Sequence, residues 1–173
     1  LAELSTAFAA QVIEPGPHRL VEEGASRRRR WLDWAVFHVE PTFIDAWSLY
    51  TRALKQRNAS LRTAPNQADV WEPELVRWGE IMATSRKTFL EQLIPVWQPM
   101  VQHLTGLPVE LHYSRGWNAD LSLADALKAS RDRDIHRSLS HVGPHRADVV
   151  LRLRGGLARD TLSPGQQKLV AVA

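Results

Sequence analysis

The segment Leu162-Ser163-Pro164-Gly165-Gln166 has the residue types that point most directly to chemistry. Ser163 suits the N-cap of a helix, Pro164 suits its first turn, and Gln166 completes an S-x-x-Q capping box. The first N–H groups of a helix lack partners within it, and the helix dipole places partial positive charge there. Because Gly165 is small and adjacent, the segment predicts either a simple helix cap or a site for a phosphate oxygen.

Arginines are concentrated in one run, Arg27 to Arg30, in a chain whose net charge is +3. Arginine can hold phosphates through paired hydrogen bonds, which favours contact with a nucleic-acid backbone. The alternative is a solvated face that forms ion pairs with Glu22 and Glu23. A second basic cluster near the end of the next helix is by itself an ordinary helix surface. The candidate DNA contacts are Arg27, Arg28, Arg29, Arg30, Lys55 and Arg57.

Other site chemistries find less support. His136, His141 and His145 are the closest group of histidines, but Gly143-Pro144 interrupts any helix between them and no carboxylate stands at a companion spacing. Hydrogen-bonding or surface histidines are therefore favoured over a metal site. No G-x-S-x-G segment surrounds a serine nucleophile, and the absence of cysteine excludes thiolate chemistry and disulfides. We assign no catalytic residue and no metal ligand.

A complete nucleotide site is missing from these residues. No glycine stands in a G-x-x-x-x-G-K-[ST] or G-x-G-x-x-G pattern, and no apolar run leads into paired acids that could hold Mg²⁺.

The elements that must position these residues are mainly helices at first. Apolar spacing predicts helices over 27–39, with Ser26 as cap, from Pro41 to about Leu61, and over 73–104. Pro95 and Pro99 should kink the last of these or break off a separate short helix. Four tryptophans on apolar faces are expected to pack in the core rather than stack on bases: Trp31, Trp34, Trp47 and Trp78.

The pattern changes after residue 106. Alternation over 109–113 predicts a half-buried strand, Ser122 and Asp125 cap a further helix, and a second strand is expected from Asp148 to Arg154 before the Gly155-Gly156 turn. A helical region of roughly 100 residues is thus followed by a small mixed α/β segment.

Composition fits an ordinary globular protein, with 173 residues of which 44% are apolar and 24% charged. No apolar run approaches the roughly 18 residues of a membrane span, and no leader opens the sequence, so a cytoplasmic location is the default expectation. The sequence starts with Leu1 inside helical spacing, and a capped helix is just beginning at its other end. We therefore expect a longer parent protein.

Four blocks occur in order along nearly the whole chain: 28–34 with Phe37-His38-x-Glu40-Pro41, then 54–59, then 143–148, then 162–166. In this combination the sequence resembles the RecF family of bacterial recombination and repair proteins. The resemblance implies an α+β, mainly α, fold in which a helical arm is inserted into an ABC/SMC-like ATPase head. Its boundaries would be 1–25 for the end of a head segment, 26–106 for the arm and 107–173 for the returning head segment.

The resemblance also implies a function. It indicates a DNA-binding ATPase that acts in single-strand gap repair, replication-fork maintenance and the SOS response, with ATP-dependent dimerisation and with RecR and RecO as partners. Ser163, Gly165 and Gln166 match the family's signature motif, and Ser163 and Gly165 would reach the γ-phosphate of ATP bound by the other subunit. The parent protein would use ATP and Mg²⁺, whereas this segment, which lacks the phosphate loop, should be inactive alone. The alternative is a non-enzymatic helical module that binds nucleic acid or protein.

Overall fold

The computed structural model describes residues 16–173, which divide into two compact units. The first, here the sheet unit, combines 16–39, 87–114 and 148–173; the second, the helical unit, combines 40–86 and 115–147. Both units interleave distant segments of the chain. A helical arm inserted into a head, with boundaries at residues 25 and 106, stays a prediction. The mainly α, α+β class is confirmed, and no described helix is long and apolar enough to cross a membrane.

The sheet unit holds the three strands. Its elements are α1 (Arg19–Glu22), α2 (Ala25–Val39), the second part of α4 (Glu72–Thr105), β1 (Val109–Ser114), β2 (Asp148–Leu153), β3 (Gly156–Leu157), α6 (Ala158–Thr161) and α7 (Pro164–Val172). The first part of α4 belongs to the helical unit, together with α3 (Phe43–Thr63), α5 (Leu123–Arg137) and the 3₁₀ turns Pro65–Trp71 and Pro144–Arg146.

The sheet is antiparallel, in the order β1-β2-β3. Val109 of β1 pairs with Leu153 of β2, and Ser114 pairs with Asp148 at the other end of the ladder. Val109 and Leu111 are buried while Glu110 and His112 are exposed, which confirms the predicted alternation. The turn from β2 to β3 places Arg154 and Gly155 at positive φ, as a tight hairpin requires.

Helix α4 runs without interruption through both of its prolines, so the expectation of a separate short helix is wrong. Each proline removes the N–H that would bond the carbonyl four residues earlier. Pro95 and Pro99 both lie on the exposed side of the helix, where water can hydrate those carbonyls. The predicted extent of 73–104 agrees with the observed helix to within one residue at each end.

The tryptophans correct a second expectation. Trp34 and Trp47 are 41% and 40% exposed, and Trp31 and Trp78 are half-buried, so none of the four is a core residue. In the sheet unit, Trp31 and Trp34 line an apolar groove of about 210 Å³ instead. The buried tryptophans are two others, Trp97 in the sheet unit and Trp117 in the helical unit. Helical spacing identifies a face but cannot say how fully a neighbour covers it.

Candidate functional site

The start of α7 forms the capping box that the sequence predicts. The Gln166 N–H donates to the Ser163 Oγ at 3.4 Å, and the Ser163 N–H donates to the Gln166 Oε1 at 2.9 Å. Pro164 lies in the first turn, where its missing N–H costs little. The box uses the N–H groups of Ser163 and Gln166 and leaves that of Gly165 outside it.

Gly165 faces open space. A Cβ built on it would meet no atom of residues 16–173 within 4 Å, and its φ is not in the left-handed region. Ser163, Pro164 and Gly165 are all exposed. Neither packing nor backbone conformation among the described residues therefore requires glycine here. An exposed first helical turn without a side chain at this position can admit an anion to the positive end of the helix dipole.

Gln167 lies beneath this turn and was not singled out from the sequence. Its side chain is buried, and its Nε2 donates to the carbonyls of Leu162 at 3.1 Å and Arg159 at 3.3 Å. A glutamine in a short run of polar residues resembles helix surface. Its burial and its bonds to the Arg159 and Leu162 carbonyls identify it as an interior group.

The arginine run of α2 does not form one uniform cationic patch. The Arg28 Nε and Nη2 donate to the two carboxylate oxygens of Asp148 at 2.8 and 2.9 Å, and its Nη1 donates to the Glu23 carbonyl. Arg28 is 9% exposed. All three guanidinium nitrogens of Arg28 thus donate hydrogen bonds within the sheet unit. The interpretation of Arg28 as a phosphate contact is therefore corrected.

The other three arginines of the run differ in exposure. Arg30 is exposed, whereas Arg27 and Arg29 are half-buried and engaged in interactions within the chain. The Arg27 guanidinium lies 3.5 Å from the Glu23 carboxylate, as the ion-pair alternative expected. Helix geometry causes this difference, since four consecutive residues point in four directions around the axis.

Arg57 is the centre of a buried cluster in the helical unit and is only 1% exposed. Its Nη1 donates to Asp134 and to the Ser140 hydroxyl, both at 2.8 Å, and its Nη2 donates to Glu72 at 3.0 Å. The predicted role of Arg57 as a DNA contact on ordinary helix surface is therefore corrected. Lys55, two residues earlier, is exposed.

Asp134 is fully buried and gathers the rest of this cluster. Besides Arg57, it accepts hydrogen bonds from the Ser130 hydroxyl and from the His141 N–H. The His141 Nδ1 lies 2.9 Å from Oδ1, the same carboxylate oxygen that accepts the His141 N–H, while Arg57 and Ser130 donate to Oδ2. Nothing in the local sequence distinguished Asp134 from the exposed charges around it, although its spacing from the apolar residues of α5 places it on the same face.

The histidines make hydrogen bonds, in agreement with the favoured interpretation. The His145 Nδ1 lies 2.7 Å from the Tyr50 hydroxyl, and its Nε2 lies 3.0 Å from the Ser140 carbonyl. Because a carbonyl only accepts, Nε2 carries the proton and Nδ1 accepts from Tyr50. Burial raises the pKa of Tyr50, against a smaller opposing effect of nearby arginines. His136 is exposed, and no group of three potential metal ligands forms among the described residues.

Backbone contact holds the segment that contains His145. The Gly143 N–H donates to the Gly116 carbonyl at 3.2 Å, and a Cβ on Gly116 would lie 2.1 Å from the Gly143 carbonyl oxygen. Gly116 also has a φ of +97°. A side chain at residue 116 is thus excluded twice, by contact and by conformation.

The chain is similar to known proteins along its whole length. No protein-family model matches the chain. Curated proteins named DNA replication and repair protein RecF do match. The RecF of Xanthomonas euvesicatoria pv. vesicatoria (strain 85-10) is 43% identical over 180 residues, which cover 100% of this chain and 48% of that protein. The RecF of Marinomonas sp. (strain MWYL1) is 42% identical over 175 residues, with 99% and 48% covered. The chain spans about half the length of the curated relatives it matches.

Solved structures agree in fold. The recombination mediator protein RecF-ATP in the RecFOR pathway superimposes with a TM-score of 0.90 at 22% identity, covering 98% of this chain and 50% of that one. The RecF-ATPrS structure of the same pathway gives a TM-score of 0.90, with 99% and 50% covered. Identity of this order over the whole chain, joined to the shared fold and the capped α7 segment, means that the chain belongs to the RecF family.

Proposed function

We propose that this chain is part of a DNA-binding ABC-type ATPase that works through ATP-dependent dimerisation on DNA. Its processes are recombinational repair of single-strand gaps, replication-fork maintenance and SOS induction in the cytoplasm. The names of the matched relatives support replication and repair, and the solved RecF structures with ATP support nucleotide binding by the whole protein. The RecFOR pathway in those descriptions supports RecR and RecO as partners.

The observation that carries the proposal is the open first turn of α7. The capping box fixes Ser163 and leaves the Gly165 N–H outside it, and no atom of the described part of the chain fills the space beside Gly165. ATP bound with Mg²⁺ by a second subunit supplies a highly charged γ-phosphate. The Ser163 hydroxyl and the Gly165 N–H would donate hydrogen bonds to that anion, aided by the helix dipole. The residues present therefore fit the role.

The DNA contacts that we carry forward are the exposed members of the predicted set, Arg30 and Lys55. Arg27 and Arg29 are half-buried and can add to the local potential without a direct contact. Arg28 and Arg57 are left out because carboxylates within the fold already hold their guanidinium groups.

Replacement of Ser163 tests the proposal in a full-length RecF protein that contains this sequence. Ser163→Arg should abolish ATP-dependent dimerisation, measured by analytical ultracentrifugation, because its bulk and charge fill the open turn. ATP affinity of the single subunit should stay within about twofold of wild type. Leu169→Arg is the matched control, since it adds the same side chain at an exposed position of the same helix.

Two results would count against the proposal. Loss of ATP binding by the single subunit would mean that Ser163 belongs to a site in its own subunit. If ATP does not change the association of the wild-type protein at all, the non-enzymatic helical module becomes the better explanation.

A further inference from the structure

Gln167 is a buried polar side chain of the sheet unit that bonds only main-chain carbonyls among the described residues. It is 4% exposed, and both of its hydrogen bonds run from Nε2 to main-chain carbonyls, of Leu162 at 3.1 Å and of Arg159 at 3.3 Å. Carbonyls cannot donate, so the chemistry of the partners fixes the orientation of the carboxamide. The amide nitrogen must point toward the chain that precedes Ser163.

The other end of the same carboxamide has no such partner. Among the described residues, the buried Gln167 Oε1 accepts no hydrogen bond. Burying an unpaired acceptor is unfavourable, and an apolar side chain of similar volume would avoid that cost. A glutamine at this position therefore needs a reason, and the two bonds of Nε2 supply it.

The two carbonyls lie where the main chain has few partners of its own. Helix α6 spans four residues, Ala158–Thr161, so its last carbonyls have no intrahelical N–H to accept from. Leu162, which follows, is extended and leads directly into the N-cap residue. A bond from α7 back to the Leu162 carbonyl thus ties the entry of the helix to its second turn.

We infer that Gln167 is a positioning residue that holds Ser163 and Gly165 in place for the phosphate. This inference rests on the proposed function of the same turn. The Gln166 side chain closes the capping box by accepting from the Ser163 N–H. The buried Gln167 side chain donates to the Leu162 carbonyl, so two consecutive glutamines bond the two residues at the start of the helix. Unlike Gln166, Gln167 also bonds the chain before the cap, at the Leu162 carbonyl.

Hydrogen exchange of the full-length RecF protein tests the restraint itself. Gln167→Met keeps the volume and removes both donors, so the Ser163 and Gln166 amides, which the capping box protects, should exchange about tenfold faster. Amides of β2 should exchange at the wild-type rate. Leu169→Met, on an exposed position of the same helix, is the control and should change neither set.

ATP-dependent dimerisation tests the consequence of that restraint. Gln167→Met should weaken the ATP-bound dimer by about tenfold and leave ATP binding by the single subunit unchanged. Combined with Ser163→Ala, it should cost less than the sum of the two single losses, because both act through one turn.

The outcomes separate this inference from the proposed function. Faster exchange throughout the sheet unit, or a dimer of wild-type strength, would overturn the positioning role of Gln167. If Ser163→Arg dimerises normally with ATP, the proposed function fails instead. A local increase in exchange, a weaker dimer and non-additivity with Ser163→Ala would together establish the positioning role.

Discussion

Arg28 in the sheet unit and Arg57 in the helical unit come from two blocks with the same family resemblance, yet they are used differently. Arg57 is 1% exposed and bonds Asp134, Ser140 and Glu72. Arg28 makes one paired contact with Asp148, whose side chain is 22% exposed. The comparison teaches that the energetic role of an arginine in such a block depends on how well water reaches its carboxylate partner.

The cost of burial explains this difference. A carboxylate that water reaches can be rehydrated when its partner is lost, whereas the fully buried Asp134 cannot. The two arginines therefore anchor their units with unequal strength.

Loss of Arg57 should have the largest effect. Arg57→Met leaves Asp134 as an uncompensated buried charge, so the free energy of unfolding should fall by about 3–5 kcal/mol in urea titrations. Arg52→Met, at an exposed position of the same helix, should change it by less than about 0.5 kcal/mol. Addition of Asp134→Asn to Arg57→Met should recover part of the loss. A loss below 1 kcal/mol for Arg57→Met would remove the contrast with Arg28.

Arg28 should show an intermediate effect. Arg28→Met should lower the free energy of unfolding by about 2 kcal/mol, because solvent partly reaches Asp148. Arg30→Met is the matched control in the same run and should be nearly neutral, since Arg30 is exposed. Equal losses for Arg28 and Arg57 would show that exposure of the carboxylate does not decide the effect.

Tyr50 gives the network of the helical unit a pH signature. Its pKa in the folded chain lies above the unfolded value of about 10, so its neutral form stabilises the fold below pH 10 and that contribution is lost as pH rises further. Between pH 9 and 11, wild type should lose about 1 kcal/mol more stability than Tyr50→Phe. Parallel urea titrations across this range measure the difference. Identical pH profiles would contradict a buried, neutral Tyr50.

The exposed cations should affect stability least and DNA binding most. Lys55→Gln should reduce the slope of log affinity against log salt by about 0.9 if Lys55 contacts one phosphate. Arg30→Gln should act in the same way, and both should leave unfolding within about 0.5 kcal/mol of wild type. Gln56→Ala is the neutral neighbour for comparison. Unchanged slopes in both charge variants would remove these two residues from the DNA-binding proposal.

Sequence reasoning succeeded where the determinants are local. The Ser163 capping box, the alternating β1 and the extent of α4 each follow from residues within one turn or one strand. It failed for Arg28 and Arg57, because their carboxylate partners lie 120 and 77 residues away. Period and composition carry no information about which distant carboxylate will bury a given guanidinium.

Two further misses have the same physical origin. Pro95 and Pro99 do not end α4, because water can hydrate the carbonyls that their missing N–H groups leave unbonded. The four tryptophans occupy helix faces that are only partly covered. Gln167 is the counterpart in the candidate site, since its role depends on carbonyls that α6 leaves without partners. A residue such as Gln167 is identified only when each buried polar atom of the structure is matched with its hydrogen-bond partner.

The placement of the tryptophans has an optical consequence. Within the described chain, each unit contains one buried indole, Trp97 in the sheet unit and Trp117 in the helical unit, and the latter lies 4.5 Å from the Arg115 guanidinium. A buried indole emits at shorter wavelength than a hydrated one, so the difference in emission between wild type and a variant with phenylalanine at one of these two positions reports the burial of that indole. Each difference spectrum thus follows one buried site in one unit, without an added label.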